Sequence, residues 1–306
     1  MKAIEVYKSG GTSTASPGNY RLLENLVREK IHERIKTILV VSAPDLGGDK
    51  ENNRVTQLLR RLHHGEEVLG RILEVYQSIA EPLEIPFPED RFREDVGAAR
   101  TMDEFLYLGE HYNAWMLNRY FVQRGISSAW INAQDVLRTR EEHPVVKVEQ
   151  VFTQAFSSDN DDVCVIGGFY GQNSFGKITI LPNGGSDLSA DWIAASLHAR
   201  LNTNLKEVEG IFPVDPAIVK EQRPIAQMTY REVRELSYAG NRVLQEEAMA
   251  QCRRAGVPMC VRSLTFPDST GTKIVLKRDE TQNPIVGVTA KKNFTLYSFI
   301  RENRDK

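Results

Sequence analysis

Two paired-glycine stretches carry the residues of this chain best equipped for chemistry. In the first, Gly184-Gly185-Ser186-Asp187 sits between a short apolar run, Lys177 to Leu181, and a helical pattern from Ser189 to Leu201. Adjacent glycines let the backbone approach a ligand closely, because no Cβ stands in the way. Ser186 and Asp187 then fall where a helix begins, and the unpaired N–H groups and dipole there favour an anion. A tight turn capped by Ser186 or Asp187 would use the same residues. The second stretch, Lys8-Ser9-Gly10-Gly11-Thr12-Ser13, follows an apolar segment at the N-terminus. It offers a point charge, two glycines and hydroxyl donors, which is equipment for holding polyphosphate. Here Lys precedes the glycines, so this is not a Walker sequence. Gly10, Gly11, Thr12, Ser13, Gly184 and Gly185 are the candidate phosphate cradle. Lys8 and Asp187 are the candidate catalytic pair, since phosphoryl transfer asks mainly for positioning and charge neutralisation. A third site is Gly109-Glu110, inside an apolar helix with Leu106, Leu108, Trp115 and Leu117. Glu110 could hold a substrate ammonium; a solvent-facing helix carboxylate is the more ordinary reading.

The elements that position these residues alternate. Strands are expected over 3–7, 37–41, 127–132, 163–169 and 257–262, with a weak one at 205–208. Helices are expected over 19–35, 55–64, 67–79, 101–121, 146–156, 189–201, 229–239 and 243–255. Thr37 to Val41 is nearly all apolar, as in a strand buried on both faces. The polar, Gly-rich stretch from Pro44 to Arg54 reads as a mobile loop. This alternation predicts an α/β fold, a three-layer αβα sandwich on a mostly parallel sheet. Ligands are then expected at the carboxyl ends of the strands.

The chain has 306 residues, enough for a sizeable core, and a formal net charge of −2. Interspersed, balanced charge argues against nucleic acid as a partner. No apolar run reaches the roughly 20 residues that span a bilayer. No signal-peptide pattern opens the sequence, and three separated cysteines, Cys164, Cys252 and Cys260, read as reduced packing residues of a cytoplasmic protein. The histidines lack metal-ligand spacing.

Together these stretches resemble the amino acid kinase superfamily, and most closely the catalytic domain of the aspartate kinases. The family's Lys-Phe-Gly-Gly-Thr/Ser-Ser is matched by Lys8 to Ser13 and its Val-Val-Ser-Ala by Val40 to Ala43. Its Val-Thr-x-Leu-Leu is matched by Val55 to Leu59 and its Gly-Glu by Gly109-Glu110. Gly167 to Gly171 and Asn183 to Asp187 match two further motifs, and Met228 to Ser237 a third. The resemblance covers roughly 2–274. It implies ATP-dependent phosphorylation of the side-chain carboxylate of aspartate to an acyl phosphate, in amino-acid biosynthesis, with Mg²⁺. Lys8 would steady the transferring group and Asp187 would lie by the phosphates and metal. Glu110 would meet the substrate amino group, with Thr56, Ser186 and Asn183 near the amino acid. Lys206, Glu207, Phe212 and Asp215 would lie along the nucleotide, with Arg242 or Lys206 replacing charge lost there. The resemblance also implies a homodimer, and the C-terminal strand is expected either to serve that dimer or to meet a separate regulatory chain.

Departures matter as much. Asn183 stands where the family has an Arg that grips the substrate α-carboxylate, and a neutral amide cannot replace a bidentate cation. Ser9 replaces a Phe, Lys206 to Gly210 rewrites Thr-Asp-Val-Asp-Gly, and Ala217 replaces an Arg. Two segments are expected: a catalytic domain over 1–278 and a tail over 279–306 resembling the first strand of an ACT domain. A tail this short predicts no feedback site within the chain. The departures leave two other readings: a kinase for a related amino or carboxylic acid, and a catalytically weak homologue acting as a partner or scaffold.

Overall fold

The computed structural model describes residues 3–139, 148–157, 162–182, 184–216, 218–238, 244, 246–281 and 284–289, apart from the side chain at 149. The strands are β1 (Ile4–Ser9), β2 (Lys36–Val41), β3 (Ser128–Ile131), β4 (Val163–Gly167), β5 (Tyr170–Gln172), β6 (Ile178–Ile180), β7 (Leu201–Lys206), β8 (Gln227–Thr229), β9 (Met259–Ser263) and β10 (Thr272–Val275). The helices are α1 (Pro17–His32), α2 (Lys50–Asn53), α3 (Val55–His63), α4 (Leu69–Ala80), α5 (Glu89–Ala98), α6 (Met102–Gln123), α7 (Val148–Ser157), α8 (Gly185–Ser196), α9 (Tyr230–Tyr238) and α10 (Ala250–Ala255).

Eight strands form one sheet in the order β3-β4-β2-β1-β7-β9-β10-β8. Neighbours are parallel throughout except β9 and β10. Alternation along the central strands creates two cores, since successive side chains point to opposite faces. Tyr7, Leu39, Val41, Val163 and Val165 join the core formed with α1, α3, α4 and α6. Val6, Ile38, Val40, Cys164 and Ile166 join the core formed with α7, α8, α9 and α10. The result is the expected three-layer sandwich. All three cysteines are buried thiols. Among the described residues no helix is long and apolar enough to cross a membrane.

Local chemistry sets the helix starts. Ser16 accepts the N–H of Asn19 and Pro17 opens α1. Thr101 and Glu104 form a capping box for α6. α8 begins at Gly185, four residues before the apolar periodicity that predicts it, because Gly184 at φ 83° turns the chain directly into the helix. Ser186 and Asp187 therefore belong to its first turn.

Three other expectations change. The strand expected at 205–208 is β7, ending at Lys206, and it lies in the middle of the sheet. The helix expected over 243–255 is shorter: a 3₁₀ turn, Glu247–Met249, leads into α10. The segment 44–54 is a pinned turn containing α2. Pro44 O accepts from Val55 N and Leu46 N donates to Asn53 O. Arg71 reaches across to Asn52 O and the Asn53 side chain.

Candidate active site

Lys8 falls on the same face of β1 as Val6, toward α8, near the strand's carboxyl end. Its Nζ is 2.8 Å from Asp187 Oδ1 in the first turn of α8. Lys206, the last residue of the neighbouring β7, places its Nζ 3.8 Å from Asp187 Oδ2. Burial alone would raise the Asp187 carboxyl, but Lys8 and Lys206 outweigh it, with a hydrogen bond from Asn204, and hold it below its ordinary range. Burial pulls the Lys206 ammonium down, Asp187 opposes this and Lys8 adds to it. Two cations thus converge on one carboxylate where two parallel strands end beside a helix N-terminus.

The turn after β1 is held from below. The Thr14 hydroxyl donates toward Gly10 O and Gly11 O, both 3.2 Å away, and accepts from Asn113 Nδ2 at 2.9 Å. Tyr20 Oη fixes Asn113 from its other side at 2.7 Å. From the opposite direction Asp45 N donates to Gly11 O. The Asp45 carboxylate accepts from Arg54 Nε at 2.8 Å and from Gly47 N at 3.1 Å.

Glu110 is 4% exposed, so the solvent-facing alternative does not hold. Burial drives its carboxyl up to about 8, against the lowering pull of the Ala43 N–H and of Lys8. Its Oε2 is buried without a hydrogen-bond partner. A buried carboxyl with a spare oxygen is costly unless something binds it.

Lys8, Asp45, Arg54, Glu110 and Asp187 line one cavity of about 260 Å³, while Lys206 reaches Asp187 from outside that lining. Of the expected residues it brings together Lys8, Gly11, Thr56, Glu110, Gly184, Gly185, Ser186 and Asp187. Ser13 is buried in the 3₁₀ turn Thr12–Thr14, and Gly10 and Thr12 stand beside the cavity without lining it. Glu207 and Asp215 are exposed, and Phe212 half-buried, on the segment after β7; none lines the cavity. Asn183, Ala217 and Arg242 lie outside the described residues, as does the tail from residue 290. Asp45, Arg54, Arg60, Asn113 and Asn204 were not singled out from the sequence. The spacing of Arg60 four residues after Thr56, on one helix face, is the signal that could have found it.

The model of the amino acid kinase family matches residues 3–263. Aspartokinase 3 of Bacillus subtilis is 29% identical over 311 aligned residues, covering 95% of this chain and 68% of that protein. Aspartokinase 1 of the same organism is 29% identical over 277, covering 90% of this chain and 61% of that protein. The crystal structure of Clostridium acetobutylicum aspartate kinase superposes with a TM-score of 0.81 at 25% identity, covering 93% of this chain and 66% of that one. The chain thus spans about two thirds of the length of these relatives.

Proposed function

Because the chain belongs to the amino acid kinase family, we propose that it transfers the γ-phosphoryl group of ATP to the side-chain carboxylate of aspartate. The observation that carries this reading is the buried, two-cation Asp187 cluster beside Glu110, whose Oε2 lacks a partner. Two of the most similar curated relatives bear the name aspartokinase.

In the reaction, an oxygen of the acceptor carboxylate attacks the γ-phosphorus. A new O–P bond forms, the bond to the bridging oxygen breaks, and ADP leaves. Negative charge gathers on the transferring oxygens, and a fixed cation in a site shielded from water stabilises it. Lys8 supplies that cation, and Asp187 and the β1 strand hold it in place. In this reading the turns carrying Gly11 and Gly184-Gly185, which line the cavity, receive the phosphates, with Asp187 restraining Lys206 beside them. Glu110 receives the substrate ammonium, with Thr56 and Ser186 around the amino acid. Lys206, Glu207, Phe212 and Asp215, at the end of β7 and on the segment after it, are assigned to the nucleotide by the family resemblance.

The donor set suits Mg²⁺ brought in on ATP. Among the described residues no cluster of three or more His, Cys, Asp or Glu side chains could hold a metal alone. One protein carboxylate plus phosphate oxygens is the usual arrangement for this ion, and Asp187 is that carboxylate. The ion would supply neutralisation of phosphate charge. A homodimer and a cytoplasmic location complete the reading.

Incubation with ATP, Mg²⁺ and hydroxylamine tests it. Hydroxamate forming only when aspartate is present is the expected result. ATP binding without hydroxamate from aspartate would move the reading to another carboxylic acid, and no ATP binding would sink the kinase altogether.

A further inference from the structure

The charges lining the cavity can be paired off one by one. Its cations are Lys8, Arg54 and Arg60, and its acids are Asp45, Glu110 and Asp187. Lys8 is paired with Asp187. Arg54 is paired with Asp45 through both Nε and Nη2 at 2.8 Å. One cation and one acid remain. Glu110 has an unpartnered buried oxygen, and the Arg60 guanidinium has no ion-pair or hydrogen-bond partner among the described residues. An α-amino acid presents one ammonium and one carboxylate, so the two spare groups complement it.

We propose that Arg60 binds the non-reacting α-carboxylate of the acceptor and so sets specificity for an α-amino acid; this rests on the aspartate reading above. Arg60 lies on α3 four residues after Thr56, so both side chains share the helix face that lines the cavity. A guanidinium meets a carboxylate through two parallel N–H bonds, a geometry a neutral amide cannot offer. The residue at 183 is Asn and carries no charge. Arg54 is unsuited to the role, because the Asp45 carboxylate already occupies its fork. Arg60 is exposed in this structure, which leaves its guanidinium free to swing to an arriving anion. With Glu110 taking the ammonium and Arg60 the α-carboxylate, the side-chain carboxylate is the group left to meet Lys8.

The test is steady-state kinetics of the full chain and of Arg60→Gln and Arg60→Lys, varying aspartate and ATP separately. Arg60 is on a helix surface, so both variants should unfold at the wild-type temperature. Arg60→Gln should raise KM for aspartate roughly 10- to 100-fold, the usual cost of losing a charge-assisted pair. The loss should fall on that KM rather than on kcat, with the ATP KM within about twofold of wild type, and Arg60→Lys should recover part of it. An aspartate KM unchanged in Arg60→Gln would overturn the role of Arg60 while leaving the kinase intact. So would a parallel rise in both KM values. A wild-type chain that makes no acyl phosphate from aspartate would overturn the function and this inference together.

Discussion

At Asp187, burial and charge pull in opposite directions and charge wins, because Lys8 and Lys206 both reach it. The carboxylate therefore stays ionised and fixes the ammonium that the reaction needs. Replacing Lys8 with Ala should lower kcat by about 10²- to 10³-fold, the size of losing one preorganised charge-stabilising group. Lys206 still compensates Asp187, so circular dichroism of the variant should match wild type. Near-normal turnover would remove Lys8 from the mechanism. Glu110 shows the opposite balance: its carboxyl is pushed up to about 8 by burial. In the free protein it is mostly protonated near neutral pH, whereas an ammonium is held by the ionised form. Binding aspartate must therefore release a proton. KM for aspartate should fall as pH rises from 6 toward 8 and level off above, and Glu110→Gln should abolish that slope. A pH-independent aspartate KM in the wild type would contradict the pairing.

The elements bring these residues together through close contacts. A Cβ on Gly109 would meet Ala43 Cβ at 2.7 Å and Leu59 Cδ1 at 3.4 Å. That glycine lets α6 lie against the turn after β2, which sets the depth of Glu110. Gly109→Ala should cost about 1–3 kcal/mol in urea unfolding, the usual range for overpacking, and should raise KM for aspartate by shifting its neighbour Glu110. Thr101→Ala, which removes only the α6 cap, should cost about 1 kcal/mol with unchanged kinetics. If both variants lose stability and keep wild-type kinetics, Gly109 is a packing residue and nothing more.

Sequence and structure agree best where periodicity is strong, as in β2, α3 and α6. They part where function has replaced apolar residues. The segment of β7, Leu-Asn-Thr-Asn-Leu-Lys, reads as a poor strand, yet Asn202, Thr203 and Asn204 are all buried. The two asparagines use their polarity: Asn202 reaches Cys252 and Asn204 reaches Asp187. The Lys8 and Asp187 junctions were legible because glycine pairs and charged neighbours announce themselves locally. The partners Asp45, Arg54 and Asn113 were not, since their roles depend on contacts between distant segments. The burial of Glu110 was equally hidden, because a helical pattern does not show which face a turn from β2 will cover.

Across the whole molecule, the site lies where the two helical layers meet over the carboxyl ends of the central strands β4, β2, β1 and β7. Lys8 and Asp187 come from the α8 side and Glu110 from the α6 side, so the chemistry spans both cores. Global stability should carry the mark of Glu110. Its folded value lies above the ordinary 4.5, so its contribution is full below about 4.5 and is lost as pH rises toward 8. Between those limits wild-type stability should fall by about 1.4 kcal/mol per pH unit relative to Glu110→Gln. Urea denaturation of both proteins from pH 5 to 8 measures this, and parallel curves would show that the carboxyl is ionised throughout.

In the proposed reaction a side-chain carboxylate oxygen of aspartate becomes bonded to phosphorus. Aspartate labelled with ¹⁸O in its side-chain carboxylate, incubated with ATP and Mg²⁺ and trapped with hydroxylamine, tests it directly. Hydroxylamine attacks the acyl carbon and expels phosphate with the bridging oxygen. ¹⁸O is expected in that phosphate, dependent on Lys8. Released phosphate without ¹⁸O would show that ATP had been hydrolysed by water and that aspartate is not the acceptor.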